Sequence, residues 1–115
     1  MIEVQIVRQF HVRRLDGSRL EAGELHGEGE RLMGALLELE ACNADVRDPS
    51  TASDADSGVV TVELLIRAES EVAALEKSKT VARTAIHAIG GATPWESTPA
   101  RTIDYVPRNV LLEYV

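Results

Sequence analysis

At 115 residues the chain is read as one domain, 1–115, with enough apolar side chains for an unstapled core. Its formal net charge of −7 leaves too little lysine and arginine for a phosphate backbone or an anionic bilayer, so neither nucleic acid nor membrane is expected as a partner. The single cysteine, Cys42, excludes an internal disulfide and a cysteine-rich metal cluster. With no signal-like or bilayer-length apolar segment, it points to the cytoplasm. Aromatic residues make up only 3% of the chain, so the core is expected to be aliphatic.

The chain opens on alternation. Ile2, Val4, Ile6, Phe10 and Val12 share one face of a long first strand, and Arg8 interrupts that face, at a bulge or turned to the mixed side. Asp16-Gly17 is either a hairpin turn or a loop leading to a helix, and the loop is preferred because the following residues do not alternate. From Glu24 to Ala41 the pattern is helical, carried by Leu25, Leu32, Met33, Leu36 and Leu39 or Leu37. Gly27, Gly29 and Gly34 weaken it by about 1 kcal/mol each, so Glu30–Ala41 is the robust part. Within the polar stretch 42–57, residues 50–55 are expected as an edge strand, with Pro49 at its start.

Val59–Ala68 is the strongest strand signal. Val60, Val62, Leu64, Ile66 and Ala68 form a wholly apolar face, whereas Val59, Thr61, Glu63, Leu65 and Arg67 form a mixed one. Ser70 suits an N-cap and Gly90 a C-terminal stop. Between them Val72, Leu75, Ala82, Ile86 and Ile89 predict an amphipathic helix. Residues 92–101, with Pro94, Trp95 and Pro99, read as a loop. Residues 102–106 and 109–115 read as a last strand that Pro107 breaks or bulges, which places it at an edge.

The order strand, helix, weak strand, strong strand, helix, edge strand is the βαββαβ pattern of an α+β, ferredoxin-like plait. Such a plait is a four-stranded antiparallel sheet with both helices on one face. The whole chain resembles that fold. The stretches 36–43 (LLELEACN) and 83–91 (RTAIHAIGG) also resemble short uncharacterised actinobacterial proteins, a likeness that implies no activity and carries no catalytic residues.

Candidate sites each have a plain structural alternative. Glu24, His26, Glu28 and Glu30 would converge on a metal if they lay on a strand, but a helix scatters them. Asp54, Asp56 and Gly58 lack the further ligands of a calcium loop and fit a hairpin turn. Cys42 and His87 have no feature that brings them together as a nucleophilic pair. Trp95, Phe10 and Tyr105, with Tyr114, could line a small-molecule pocket or close the end of the core. No catalytic residue, metal or cofactor is expected.

The leading functional expectation is a non-catalytic, self-associating or protein-interaction module. It would form a homodimer or higher homo-oligomer through the open sheet face bearing Val7, Val59, Thr61, Glu63, Leu65, Arg67 and Leu15. The alternative is a small-molecule-binding regulatory plait, with its pocket at a subunit seam or beside Trp95. A cofactor-free dimeric α+β barrel enzyme ranks third. It requires His11, His26 or His87 to border a cavity.

Overall fold

The two segments that alternate most strongly in the sequence are neighbours in the middle of the sheet. In the computed structural model, which describes residues 1–95 and 103–115, β1 (Ile2–Arg14) pairs antiparallel with β3 (Val59–Ala68), setting Val4 opposite Ile66 and Ile6 opposite Leu64. Helix α1 (Ala22–Cys42) leads from β1 to β2 (Val46–Asp54), and α2 (Glu71–Ala88) leads from β3 to β4 (Gly91–Ala92) and β5 (Ile103–Tyr114). The strand order is β2-β3-β1-β5-β4. Every neighbouring pair is antiparallel except β4 and β5, which run parallel. The sheet is therefore five-stranded and mixed, and the four expected strands gain a two-residue fifth. The architecture is α+β.

Even-numbered residues of β1 and β3 face the helices. Val4, Ile6, Phe10, Val12, Val60, Val62, Leu64 and Ile66 are all buried there, together with Leu25, Leu32 and Leu36 of α1. α1 starts earlier than its glycines suggest. The Glu24 carboxylate accepts from the Glu21 N–H at 3.1 Å, which ties down the first turn. Three leucines on one stripe then hold the glycine-bearing part on the sheet. Leu37 lies off that stripe and is exposed.

In α2 the Ser70 hydroxyl caps Ala73 N–H at 3.1 Å, as expected. Gly90, at φ +89°, follows the helix end. The buried stripe is Ala74, Ser78, Val81, Ala82, Ala85 and Ile86. Val72, expected on it, is 71% exposed. It lies two residues before Ala74 and hence about 200° around the helix from it. Arg8 stays on the helix-facing side instead of turning to the mixed one and is itself buried.

Two strands bulge. β2 extends from Val46 and not from Ser50. Asp48, at φ +50°, and Pro49 together oppose a single residue of β3, so Pro49 sits inside an edge strand and not at its start. In β5 the register with β1 slips between Gln9 and Phe10, which leaves Arg108 as the extra residue beside Pro107. The chain after Arg14 turns tightly, with Gly17 at φ +89° donating to Arg14 C=O at 2.8 Å, and returns only as far as one bridge between Arg13 and Arg19. It is neither a full hairpin nor an open loop. Among the described residues, no helix is long and apolar enough to cross a membrane. Most of the loop expected at 92–101 lies outside the described residues.

Candidate functional site

Among the described residues, one carboxylate is buried in a core that is mostly apolar. Glu28 sits on the sheet-facing side of α1, in line with Leu25, Leu32 and Leu36, and is 5% exposed. A charge so placed is costly unless paired and hydrogen-bonded. Both conditions are met. The fully buried Tyr105 of β5 donates its hydroxyl to Glu28 Oε1 at 2.6 Å, and Arg31, one helical turn along, pairs with Oε2. The carboxylate holds the Arg31 guanidinium above its ordinary pKa. Burial, followed by the bond to Glu28, pushes the Tyr105 phenol far above its ordinary value, so it remains a donor.

Arg31 and Glu28 border a cavity of about 390 Å³ between α1, the end of α2 and the start of β5. Leu20, Ile89 and Ile103 supply apolar wall, and Gly23, Gly27 and Gly90 supply wall without side chains. Glu24 also lines it, but its carboxylate is engaged by Arg14 Nη2 at 2.6 Å and by the Glu21 N–H. That backbone bond, then Arg14, holds the exposed Glu24 carboxyl below the usual range. An adjoining groove of about 560 Å³ shares Glu24 and Ile103 and is bordered by Leu15, which thus lies at the turn after β1.

The four acidic and histidine residues proposed for a metal diverge along α1. Glu24 turns to Arg14, Glu28 to Tyr105 and Arg31, and His26 pairs with Glu30 at 3.0 Å on an exposed surface. Among the described residues, no three such side chains are grouped to hold a metal ion. Asp54, Asp56 and Gly58 make the β2–β3 turn, in which Asp54 Oδ1 accepts from Asp56 N–H at 3.0 Å and Gly58 N–H donates to Asp54 C=O at 2.9 Å. Arg19 clamps that turn through the carbonyls of Ala55 and Asp56. Cys42 and His87 belong to opposite ends of the helix layer. Asn43, next to Cys42, accepts from Lys77 Nζ at 2.8 Å, and Lys77 is about 15 Å along α2 from His87. His87 contacts Thr93 Oγ1 at 3.0 Å instead.

The aromatic trio does assemble. Phe10 meets Trp95 edge-on at 5.9 Å and Tyr105 at 6.1 Å. Tyr114 lies away from it and donates to Glu71 at the start of α2. The half-buried Trp95 ring also receives the Arg8 guanidinium at 5.8 Å and the Lys79 ammonium at 5.4 Å. Arg8 reaches through the helix-facing layer to donate to Ser78 Oγ and Leu75 C=O, both at 2.8 Å. Burial lowers its pKa, and Glu76 opposes that shift. Of the histidines, His26 borders a depression of about 240 Å³ between α1 and β2.

On the sheet face away from the helices, Val7, Thr61, Glu63 and Leu65 are half-buried and Arg67 is exposed. Val59, expected with them, is only 6% exposed at the end of β3 opposite His11, so the single chain already covers it. Sequence reasoning did not place Leu111, which stands beside Val7 and is 59% exposed. At one end of this face Glu3 pairs with Arg67 at 3.7 Å, and at the other Arg13 pairs with Asp104 at 3.7 Å. Arg31 was also missed. Its one signal is the Glu28-x-x-Arg31 spacing, which is common on any helix surface. No family model, curated protein or solved structure matches the chain.

Proposed function

We propose that this chain is a self-associating module built on a ferredoxin-like plait with one short added strand, and that two copies meet through their open sheet faces. The order β2-β3-β1-β5 and its antiparallel pairing support the plait. The observation that carries self-association is the exposed Leu111 beside Val7 on the sheet face turned away from α1 and α2. A second copy carries the same net charge of −7, so long-range repulsion opposes pairing and the contact rests on the local character of this face. The face holds Glu3 with Arg67 and Arg13 with Asp104 at its two ends and Glu63 opposite Val7, so a two-fold axis brings mixed signs against mixed signs around Val7, Leu65 and Leu111. A stable pair of this kind buries about 1,200–2,000 Å² in total.

Sedimentation velocity over a wide concentration range tests this. The wild type should run as a dimer or larger, and Leu111→Lys should shift it to monomer with an unchanged circular dichroism spectrum. A wild type that stays monomeric at every concentration overturns the proposal, as does a Leu111→Lys variant that assembles like the wild type.

A further inference from the structure

We infer that the cavity beside Arg31 binds a small organic monocarboxylate with an apolar body, and that Glu28 positions Arg31 to receive the carboxylate. This site is separate from the open sheet face and does not depend on self-association. Three observations lead to it.

The first is donor capacity. A guanidinium carries five N–H donors in a fixed fork. Arg31 commits Nη2 to Glu28, and its side chain is 59% exposed at the cavity wall, so donors remain for an incoming anion. Planar carboxylates match that fork. The second is the support beneath it. A leucine at position 28 and a phenylalanine at 105 would fill the same space with no buried charge, and such swaps are often neutral or stabilising. The Glu28–Tyr105 bond does something an apolar pair cannot: it fixes the anchor that orients Arg31. The third is the opening itself. Gly23 and Gly27 stand one turn apart on the same side of α1. A Cβ at Gly23 would meet no atom within 4 Å, and one at Gly27 would touch only the Arg31 guanidinium, at 3.9 Å. Packing does not demand glycine at these positions, and both weaken the helix. They keep the wall beneath Arg31 open.

Local charge limits the charge of the ligand. Glu24 is offset by Arg14 and Glu28 by Arg31, so the cavity is close to neutral before binding. A monocarboxylate adds one negative charge, held by hydrogen bonds from the remaining Arg31 donors and not by a spare cation. A doubly charged phosphate would face both glutamates. Leu20, Ile89 and Ile103 give the apolar body its contact, and the volume lies within the ordinary range for small-ligand sites, about 300–1,000 Å³.

The test is titration of hexanoate into the nitrogen-15-labelled chain, followed by amide shifts, with hexanol and inorganic phosphate as separate arms. Hexanoate should give saturable shifts centred on residues 23–31 and 89–90. Arg31→Gln should weaken its binding about tenfold or more. Gly23→Leu, placed in open space, should abolish binding while the circular dichroism spectrum stays native. Arg31→Lys should fall between wild type and Arg31→Gln. The inference is overturned if hexanoate gives no saturable shift, if hexanol or phosphate binds as well as hexanoate, or if Arg31→Gln leaves the affinity unchanged.

Discussion

Gly91→Ala tests the packing behind the candidate site. Gly91 is buried in β4, and a Cβ built on it would stand 2.7 Å from Ile86 Cγ2 and 2.8 Å from both Cδ1 and Cε1 of Tyr105. Neither neighbour is a flexible tip. Ile86 and Tyr105 are both 0% exposed, and the Tyr105 ring is held by its hydroxyl bond to Glu28. Something must shift, and overpacking of this kind costs about 1–3 kcal/mol. Gly91 is not among the residues with positive φ, so alanine also restricts the unfolded chain and returns about 0.4–1 kcal/mol. The expected net loss is about 1–2 kcal/mol, which for a chain of this length lowers Tm by about 4–8 °C. Thermal melts at one protein concentration, with urea melts to confirm an unchanged m value, provide the measurement. Gly34→Ala is the matched control. Gly34 lies within α1 and its Cβ would meet nothing within 4 Å, so that variant should gain about 0.5–1 kcal/mol. If Gly91→Ala melts at or above the wild type, or shifts in the same direction as Gly34→Ala, the packing argument fails.

The buried phenol makes the fold sensitive to alkali. The Tyr105 pKa is raised in the folded chain, so its contribution is complete below the unfolded value of about 10, and above that value only the unfolded state releases the proton. Stability should fall by about 1.4 kcal/mol per pH unit from there, and urea melts should show a shallower fall for Tyr105→Phe. That variant should also lose about 1–3 kcal/mol near neutrality, because Glu28 Oε1 is left without its donor. On the acid side Glu24 has the opposite sign. Its pKa is lowered by the Glu21 N–H and Arg14, so its contribution is present above the ordinary glutamate value of about 4.3 and lost as pH falls through the lowered one. Glu24→Gln should flatten the acid limb of the stability profile, and an unchanged limb would remove Glu24 from the account.

The elements that the sequence announced are those whose side-chain period matches their burial. Val60 to Ile66 alternate because one face is packed, and Ser70 caps α2 because its hydroxyl meets a free N–H. What stayed hidden depends on contacts distant in the chain. Glu28 and Tyr105 are far apart in sequence, and neither residue type on its own predicts a buried bond. β4 is two residues long, too short for alternation to register, and it exists because the chain after Gly90 lies along β5. Val72 followed the helical period yet lies exposed, because the buried stripe of α2 runs through small residues, Ala74, Ser78, Ala82 and Ala85, that carry little hydrophobic signal.

Arg108 shows why parity could not be read across β5. In an unbroken strand, residues 105 and 111 would share a face. One extra residue at the bulge reverses the count. Tyr105 then lies opposite Val12 on the helix-facing side, and Leu111 lies opposite Val7 on the open side. Burial follows the same division, with Tyr105 at 0% and Leu111 at 59% exposed. A single strand, with β1 on one side and β4 along its start on the other, thereby supplies the hydroxyl that anchors Glu28 and the exposed apolar side chain of the open face. Pro107, beside the extra residue, has no N–H to donate, so it is tolerated where pairing is already disturbed. The bulge at Arg108 thus lets one strand present Tyr105 to the helix side of the sheet and Leu111 to the other.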